Sequence, residues 1–158
     1  MVVTADIPTP LGVHLRVTSS PAALVCARFV TARVPLRRPR DHRLLSATAA
    51  QVRAYFARRL ERFDLPMDIE GTPFQRDVWR VVAALAFGQI VSYADVARAI
   101  GRPSAHRGVA AAMRRTPIDL FIAAHRVVGA DGRVRGCPPG GLRARLLRFE
   151  TGTTRLRR

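Results

Sequence analysis

Alternation of apolar and polar positions dominates the first third of the chain. In GVHLRVTSS, Val13, Leu15 and Val17 alternate with polar neighbours, the period-two signature of a strand with one buried face. After a Ser-Ser-Pro turn, AALVCARFV reads as its partner, so the pair predicts a hairpin, with a third strand expected near Ala32–Leu36. LRRPRDHR, residues 36–43, is charged and broken by Pro39, which predicts a loop. The period then lengthens to that of a helix. Val52, Tyr55, Phe56, Leu60 and Phe63 share one face within ATAAQVRAYFARRLERF. DLPMDIEG, 64–71, follows as a connector, and the expected boundary separates domains at 1–66 and 67–151.

The second half begins as helix. In TPFQRDVW, Thr72 is the expected N-cap, Pro73 the first helical residue and Gln75 the capping-box partner, and Phe74, Val78, Val81, Val82 and Leu85 form an inward stripe. Ser92 is placed to cap a short helix over 94–100 that Gly101 ends, and Ser104 to cap a second running to about Arg115. Two short helices around a glycine turn are the sequence form of a helix-turn-helix. The second of them, with Ala105, Gly108, Ala110, Ala111 and Ala112, has a small-residue face that either approaches a partner closely or packs into the core. DLFIAAHRVV is apolar and β-rich, 132–141 is a glycine- and proline-dominated loop, GLRARLLRFE predicts a closing helix, and 152–158 is expected to be a disordered tail.

Charge changes this picture most. The formal net charge is +16, from 27 Lys+Arg against 11 Asp+Glu, and every one of the basic residues is arginine. GC-rich coding accounts for arginine in place of lysine but not for the excess of cations. A pI near 11.8 favours a polyanionic partner, most simply nucleic acid, because the guanidinium fork donates two parallel hydrogen bonds to phosphate. No apolar run approaches the roughly 20 residues needed to span a bilayer. The N-terminus MVVTADIPTPLG lacks a basic segment followed by a long apolar one, so no secretory leader is expected. Cys26 and Cys137 make neither a disulfide framework nor a zinc spacing, so a cytoplasmic, reduced protein is expected; association with the nucleoid, a monomeric state and the absence of metal or other cofactor are further expectations.

The candidate chemistry lies in FIAAHRVVGADGRVRGCPPGG, 121–141. His125 has two readings: a base that relays a proton from a nucleophile, with Glu150 as its orienter, or a structural residue satisfied by hydrogen bonds. The residues before it, Ala123 and Ala124, supply no nucleophile.

The run GTPFQRDVWRVVAALAFGQIVSYADVARAIGRPSAHRGVAAAMRRTPIDLFIAAHRVVGADGRV, with GG and LLRFE after it and TPLGVHLRVTSS and FDLPMDIEGTPFQ before it, resembles the O6-alkylguanine-DNA alkyltransferase family. The resemblance implies an α/β N-terminal domain, a small antiparallel sheet plus a helix, followed by a mainly α C-terminal domain with a winged helix-turn-helix. Members of that family flip a damaged guanine from duplex DNA and move its alkyl group onto the cysteine of a Pro-Cys-His-Arg-Val motif, which here reads Ala123-Ala124-His125-Arg126-Val127. The cysteine therefore matches Ala124, whose methyl group accepts nothing. In this the chain resembles the alkyltransferase-like proteins, which bind O6-alkylguanine without repairing it and hand it to nucleotide excision repair.

By the same resemblance, Tyr93 matches the tyrosine that crowds the phosphate and Arg107 the arginine that fills the gap left by the flipped base. Ala105, Ala111 and Ala112 are expected along the groove-facing helix, Arg114, Arg115 and Arg126 near DNA, and Ala124, Val127, Cys137, Gly140 and Gly141 around the alkylguanine pocket. Thr116 departs from the family's asparagine, and GCPPGG is one residue longer than the family's loop, with Cys137 where a pocket tyrosine stands. Three functions follow as expectations: a non-catalytic sensor of O6-alkylguanine, an active alkyltransferase using the relocated Cys137, and a helix-turn-helix transcriptional regulator. The alanine-rich helix argues against the third, having few side chains that read base edges.

Overall fold

A computed structural model describes residues 1–31 and 42–153. Three strands, not two, open the chain. β1 (Val3–Pro8), β2 (His14–Ser19) and β3 (Leu24–Val30) form an antiparallel sheet in the order β1-β2-β3. The extra strand is the N-terminal one, registered with Val3 opposite Ser19 and Ile7 opposite Leu15. Its alternation is short and ends at a proline, a weak signal that pairing to β2 overrides. The third strand expected near Ala32–Leu36 lies outside the described residues, as do 36–41 of the predicted loop and 154–158 of the tail.

Helix α1 (Arg43–Phe56) starts earlier and ends earlier than its apolar spacing predicts. His42 is its N-cap, accepting from the Leu45 amide. Arg58, at φ 57°, turns the chain left-handed just past the C-cap Ala57, which leaves Leu60 and Phe63 beyond the helix. Gln51 folds the connector back by donating to the Asp64 carbonyl at 2.8 Å and accepting from its amide at 2.9 Å, and the Phe63 ring lies 5.4 Å from that of Tyr55. Phe63 thus keeps its apolar contact without helical geometry.

The described chain forms two compact units, Met1–Glu70 with Pro117–Asp119, and Gly71–Thr116 with Leu120–Arg158. In the first unit the 117–119 segment pairs with β3: the Ala27 amide donates to the Pro117 carbonyl and the Asp119 amide to the Ala27 carbonyl. Its core is built from Leu15, Val17, Leu24, Val52 and Tyr55.

The second unit holds α2 (Pro73–Ala83), β4 (Val91–Ser92), α3 (Tyr93–Ala99), α4 (His106–Arg114), β5 (Val127–Val128) and α5 (Leu142–Thr151). Thr72 and Gln75 close the capping box as the sequence predicts, and Ser92 with Asp95 closes a second one on α3, each stabilising its helix by about 1 kcal/mol. Ser104 does not cap α4. Turn hydrogen bonds from Arg102 to Ala97 and from Ala105 to Arg102 leave Ala105 at the N-cap with no side-chain bond. α2 and α4 are joined through Trp79, buried beside the backbone of Gly71, whose indole N–H donates to the Ala112 carbonyl at 3.0 Å. β4 and β5 pair in parallel, Val91 with Val127 and Ser92 with Val128, so the chain just after residues 124–126 is fastened to the start of α3. The β-rich stretch DLFIAAHRVV is buried as expected, yet only its last two residues are strand. The architecture, a small antiparallel sheet followed by a helical domain with a winged helix-turn-helix, agrees with the fold class the sequence implies.

Candidate functional site

The residues Ala124–Arg126 form a single 3-10 turn between the buried segment 120–123 and β5. Around it lies a sealed polar network. His125 and Arg126 are 1% and 2% exposed, and the Glu150 carboxylate arrives from the last turn of α5. His125 Nε2 is 2.7 Å from Glu150 Oε1, Arg126 Nη2 donates to the same oxygen at 2.8 Å, and Arg126 Nε donates to Oε2 at 3.0 Å. The Gly88 amide supplies a further donor to Oε2 at 2.9 Å, while Arg126 Nη1 donates to the Leu85 carbonyl at 2.5 Å.

Burial pushes His125 below its ordinary range, outweighing the pull of Glu150 towards the charged form. Against an ionised Glu150, which can only accept, Nε2 is the donor of the pair. For Glu150, burial works towards the neutral acid, but the hydrogen bonds from His125 and Arg126 overcome it and hold the carboxyl far below the usual range. The buried carboxylate and guanidinium balance each other's charge. Breaking such a group costs more than forming it gains, because the surviving charge is left alone in low dielectric.

Arg126, expected near DNA, turns its guanidinium inward to Glu150 and the Leu85 carbonyl, where it acts as a buried structural cation. Val127, expected around the pocket, is fully buried. Ala124 is half-buried and ends in a methyl group. Thr116 is buried at 3% exposure.

A second cluster lies around Tyr93, the first residue of α3. Burial raises the Tyr93 hydroxyl above the ordinary tyrosine value, Arg143, Arg135 and Arg114 pull it down, and Cys137 adds to the rise. The segments these residues come from, α5, the 132–141 loop and α4, also meet in space: a Cβ built at Gly136 would lie 2.7 Å from Arg143 Nη1 and 3.8 Å from Arg114 Cγ. Asp131 pairs with Arg135 at 3.1 Å, whereas Arg114 and Arg143 have no carboxylate partner among the described residues. Cys137 is half-buried, and the Gly141 amide closes a turn onto the Pro138 carbonyl at 2.8 Å immediately after it. Gly140 is exposed at φ 74° and Gly141 half-buried. Sequence reasoning singled out Tyr93 and Cys137 but missed Arg143 and Arg135, since nothing in local spacing marks an arginine that acts across three segments.

Along α4, Arg107, Arg114 and Arg115 are exposed, and Ala105 and Ala111 are half-buried. Ala112 departs from expectation. It is 2% exposed on the same inward face as Val109 and Met113, so it packs against the core instead of facing a groove. Among the described residues no group of three or more His, Cys, Asp or Glu could hold a metal ion, and no helix is long and apolar enough to cross a membrane.

Comparison with known proteins matches residues 73–152 to the family described as 6-O-methylguanine DNA methyltransferase, DNA binding domain. The methylated-DNA–protein-cysteine methyltransferase of Methanosarcina barkeri is 40% identical over 108 residues, covering 68% of each chain. The crystal structure of the Mycobacterium tuberculosis O6-methylguanine methyltransferase superposes with a TM-score of 0.80 at 32% identity, over 96% of this chain and 94% of that one. A structure of the M. tuberculosis OGT in complex with DNA superposes at 0.78 and 32% identity, over 93% and 91% of the two chains. These findings overturn the expectation of a non-catalytic lesion sensor that hands O6-alkylguanine to excision repair. Relatives at 38–40% identity bear the name of protein-cysteine methyltransferases, and this chain keeps two cysteines, Cys26 and Cys137. The inference from Ala124 failed because the loss of a thiol at one position is not its loss from the chain.

Proposed function

The chain belongs to the O6-methylguanine DNA methyltransferase family, and from that premise we propose that it is a DNA alkyltransferase that moves a methyl group from O6 of guanine onto its own Cys137. One observation carries the choice of cysteine: Cys137 follows directly on the segment that Arg143 ties to the end of α4, its guanidinium donating to the Arg135 and Met113 carbonyls, so the thiol stands beside cations suited to a DNA phosphate. The alternative thiol, Cys26, sits in β3 of the first unit, opposite Thr18, with no such surroundings among the described residues.

In the transfer, the Cys137 thiolate attacks the methyl carbon in line with the C–O6 bond. The new S–C bond forms as C–O6 breaks, the electron pair stays with the guanine, and the base takes up a proton from water in exchange for the one the thiol released. Guanine is restored and the cysteine ends as S-methylcysteine, so each molecule acts once.

Reaching O6 requires the nucleotide to leave the stack, at a cost of a few kcal/mol that is smaller for a damaged pair. Arg107, exposed in the first turn of α4, would fill the vacated space, and Tyr93 would crowd the phosphate and drive the rotation. Ala105 and Ala111 would allow α4 to lie close in a minor groove only about 6 Å wide. Arg114 and Arg115 would pair with phosphates. The His125–Glu150–Arg126 network would hold the turn that presents Ala124 as a wall of the pocket, with Gly140 and Gly141 opposite.

Intact-mass measurement after incubation with duplexes carrying O6-methylguanine or guanine tests this. The expected result is a gain of one CH2 with the lesion duplex alone, mapped by peptide sequencing to Cys137 and lost in Cys137→Ser. Unchanged mass, or a methyl group mapped to Cys26, overturns it.

A further inference from the structure

Arg143 is a half-buried residue of the first turn of α5 whose guanidinium spans two other segments. Its Nη1 donates to the Arg135 carbonyl at 3.3 Å and its Nη2 to the Met113 carbonyl at 3.1 Å. The first of these lies in the loop just before Gly136-Cys137. The second belongs to the last turn of α4, where helical carbonyls lack a partner and a cation is favoured.

Gly136 is what lets the guanidinium in. A Cβ built there would lie 2.7 Å from Arg143 Nη1, and the backbone is at φ 76°, so an L side chain would meet both a steric and a conformational obstacle. On the other side of Cys137 the Pro138–Gly141 turn closes, and a Cβ at Gly141 would come within 3.0 Å of the Cys137 Cβ. The cysteine is therefore held between a guanidinium bridge and a proline turn, with each contact resting on a missing Cβ.

We infer that Arg143 is a positioning residue for Cys137, its fork tying the loop that carries the thiol to the end of α4. This rests on the reading of Cys137 as the methyl acceptor. The claim is about geometry and not charge. A lysine keeps the cation but, as a compact point donor on a flexible stem, does not reproduce a planar bridge between two carbonyls. In-line displacement at carbon is sensitive to small misplacements of the nucleophile.

Three variants, Arg143→Lys, Arg143→Met and Gly136→Ala, are compared with the full-length wild type in two assays. The first is the single-turnover rate of methyl transfer at saturating O6-methylguanine duplex, with the duplex affinity measured alongside. The second is alkylation of Cys137 by iodoacetamide without DNA, with Cys26 as the internal standard. Release of the loop opens the half-buried thiol to a small reagent while removing its alignment with a bound lesion. The two readouts therefore move in opposite directions: all three variants lose about tenfold or more in transfer rate, and Cys137 labelling rises several-fold with Cys26 unchanged. Wild-type transfer by Arg143→Lys overturns the inference, because charge alone would then suffice. A loss confined to duplex affinity overturns it too, since Arg143 would be a phosphate contact. A parallel rise at Cys26 also overturns it by revealing general unfolding. Should the wild type transfer no methyl group, the reading of Cys137 as acceptor falls, and equal Cys137 labelling in wild type and Arg143→Lys then separately rejects the bridge.

Discussion

Arg126 and Arg143 carry the same side chain into opposite settings within one unit. Arg126 is 2% exposed and spends its donors on Glu150 and the Leu85 carbonyl, so its charge is cancelled where it stands. Arg143 is half-buried, bonds only neutral carbonyls and has no carboxylate partner among the described residues. The first arrangement is closed: removing Glu150 or Arg126 strands the other as a buried charge. The second is open, because its positive potential, shared with Arg114 beside the same loop, remains available to an anion from outside. A chain with 27 cations against 11 acids can neutralise only some of them. Where it places a carboxylate separates arginines that build the fold from arginines left for a polyanion.

Three experiments press on that contrast. The largest effect is expected at the closed cluster. Glu150→Gln leaves Arg126 buried without a counter-charge and should cost about 3–5 kcal/mol; thermal unfolding would then occur roughly 10 °C lower. A shift of only a degree or two would mean that the network is not sealed.

Acid supplies a graded version of the same test. His125 has a folded value below its unfolded 6.5, and Glu150 a folded value below its unfolded 4.5. Both groups therefore bind protons more readily when unfolded, so stability rises with pH across each window. On acidification it should decline first as pH falls below about 6.5, from His125, and further below about 4.5, from Glu150. Denaturant titrations at a series of pH values read this out, and His125→Gln should remove the first decline while keeping the second. A stability profile that is flat from neutrality down to the carboxylate range would show His125 to be already charged in the fold.

The smallest effect on stability belongs to the open cluster. Arg114→Ala should change unfolding free energy by no more than about 0.5 kcal/mol. It should also flatten the dependence of duplex affinity on salt by about one unit of slope. An unchanged slope would remove Arg114 from the phosphate contacts.

Signals confined to one turn of chain were legible without a structure. Thr72-Pro73-Phe74-Gln75 announces a helix start because cap and partner lie three residues apart, within reach of each other as soon as the first turn forms. Leu15 and Val17 mark a strand because their burial depends only on the pleat. Errors arose where the deciding contact is remote. Leu60 and Phe63 fit the helical period of α1, but the left-handed Arg58 and the Gln51–Asp64 bonds end the helix before them. Ala112 shares the small side chain of Ala105 and Ala111, and only the packing of α2 against α4 through Trp79 shows which face it occupies. At the site, the motif positions 123–127 and the thiol at Cys137 could be read directly. That Arg126 belongs to the interior could not, because its partner lies 24 residues further on.

By itself, then, the sequence determined the elements with short-range causes, the cationic surplus and the methyl group at Ala124. Tertiary structure alone decided which arginines are neutralised and which stay available, and which segments meet beside Cys137. The physical reason is that a charge's role depends on what lies within a few ångströms in space. Glu150 reaches the 124–126 turn, and Arg143 the Cys137 loop, only once α5 has packed into place.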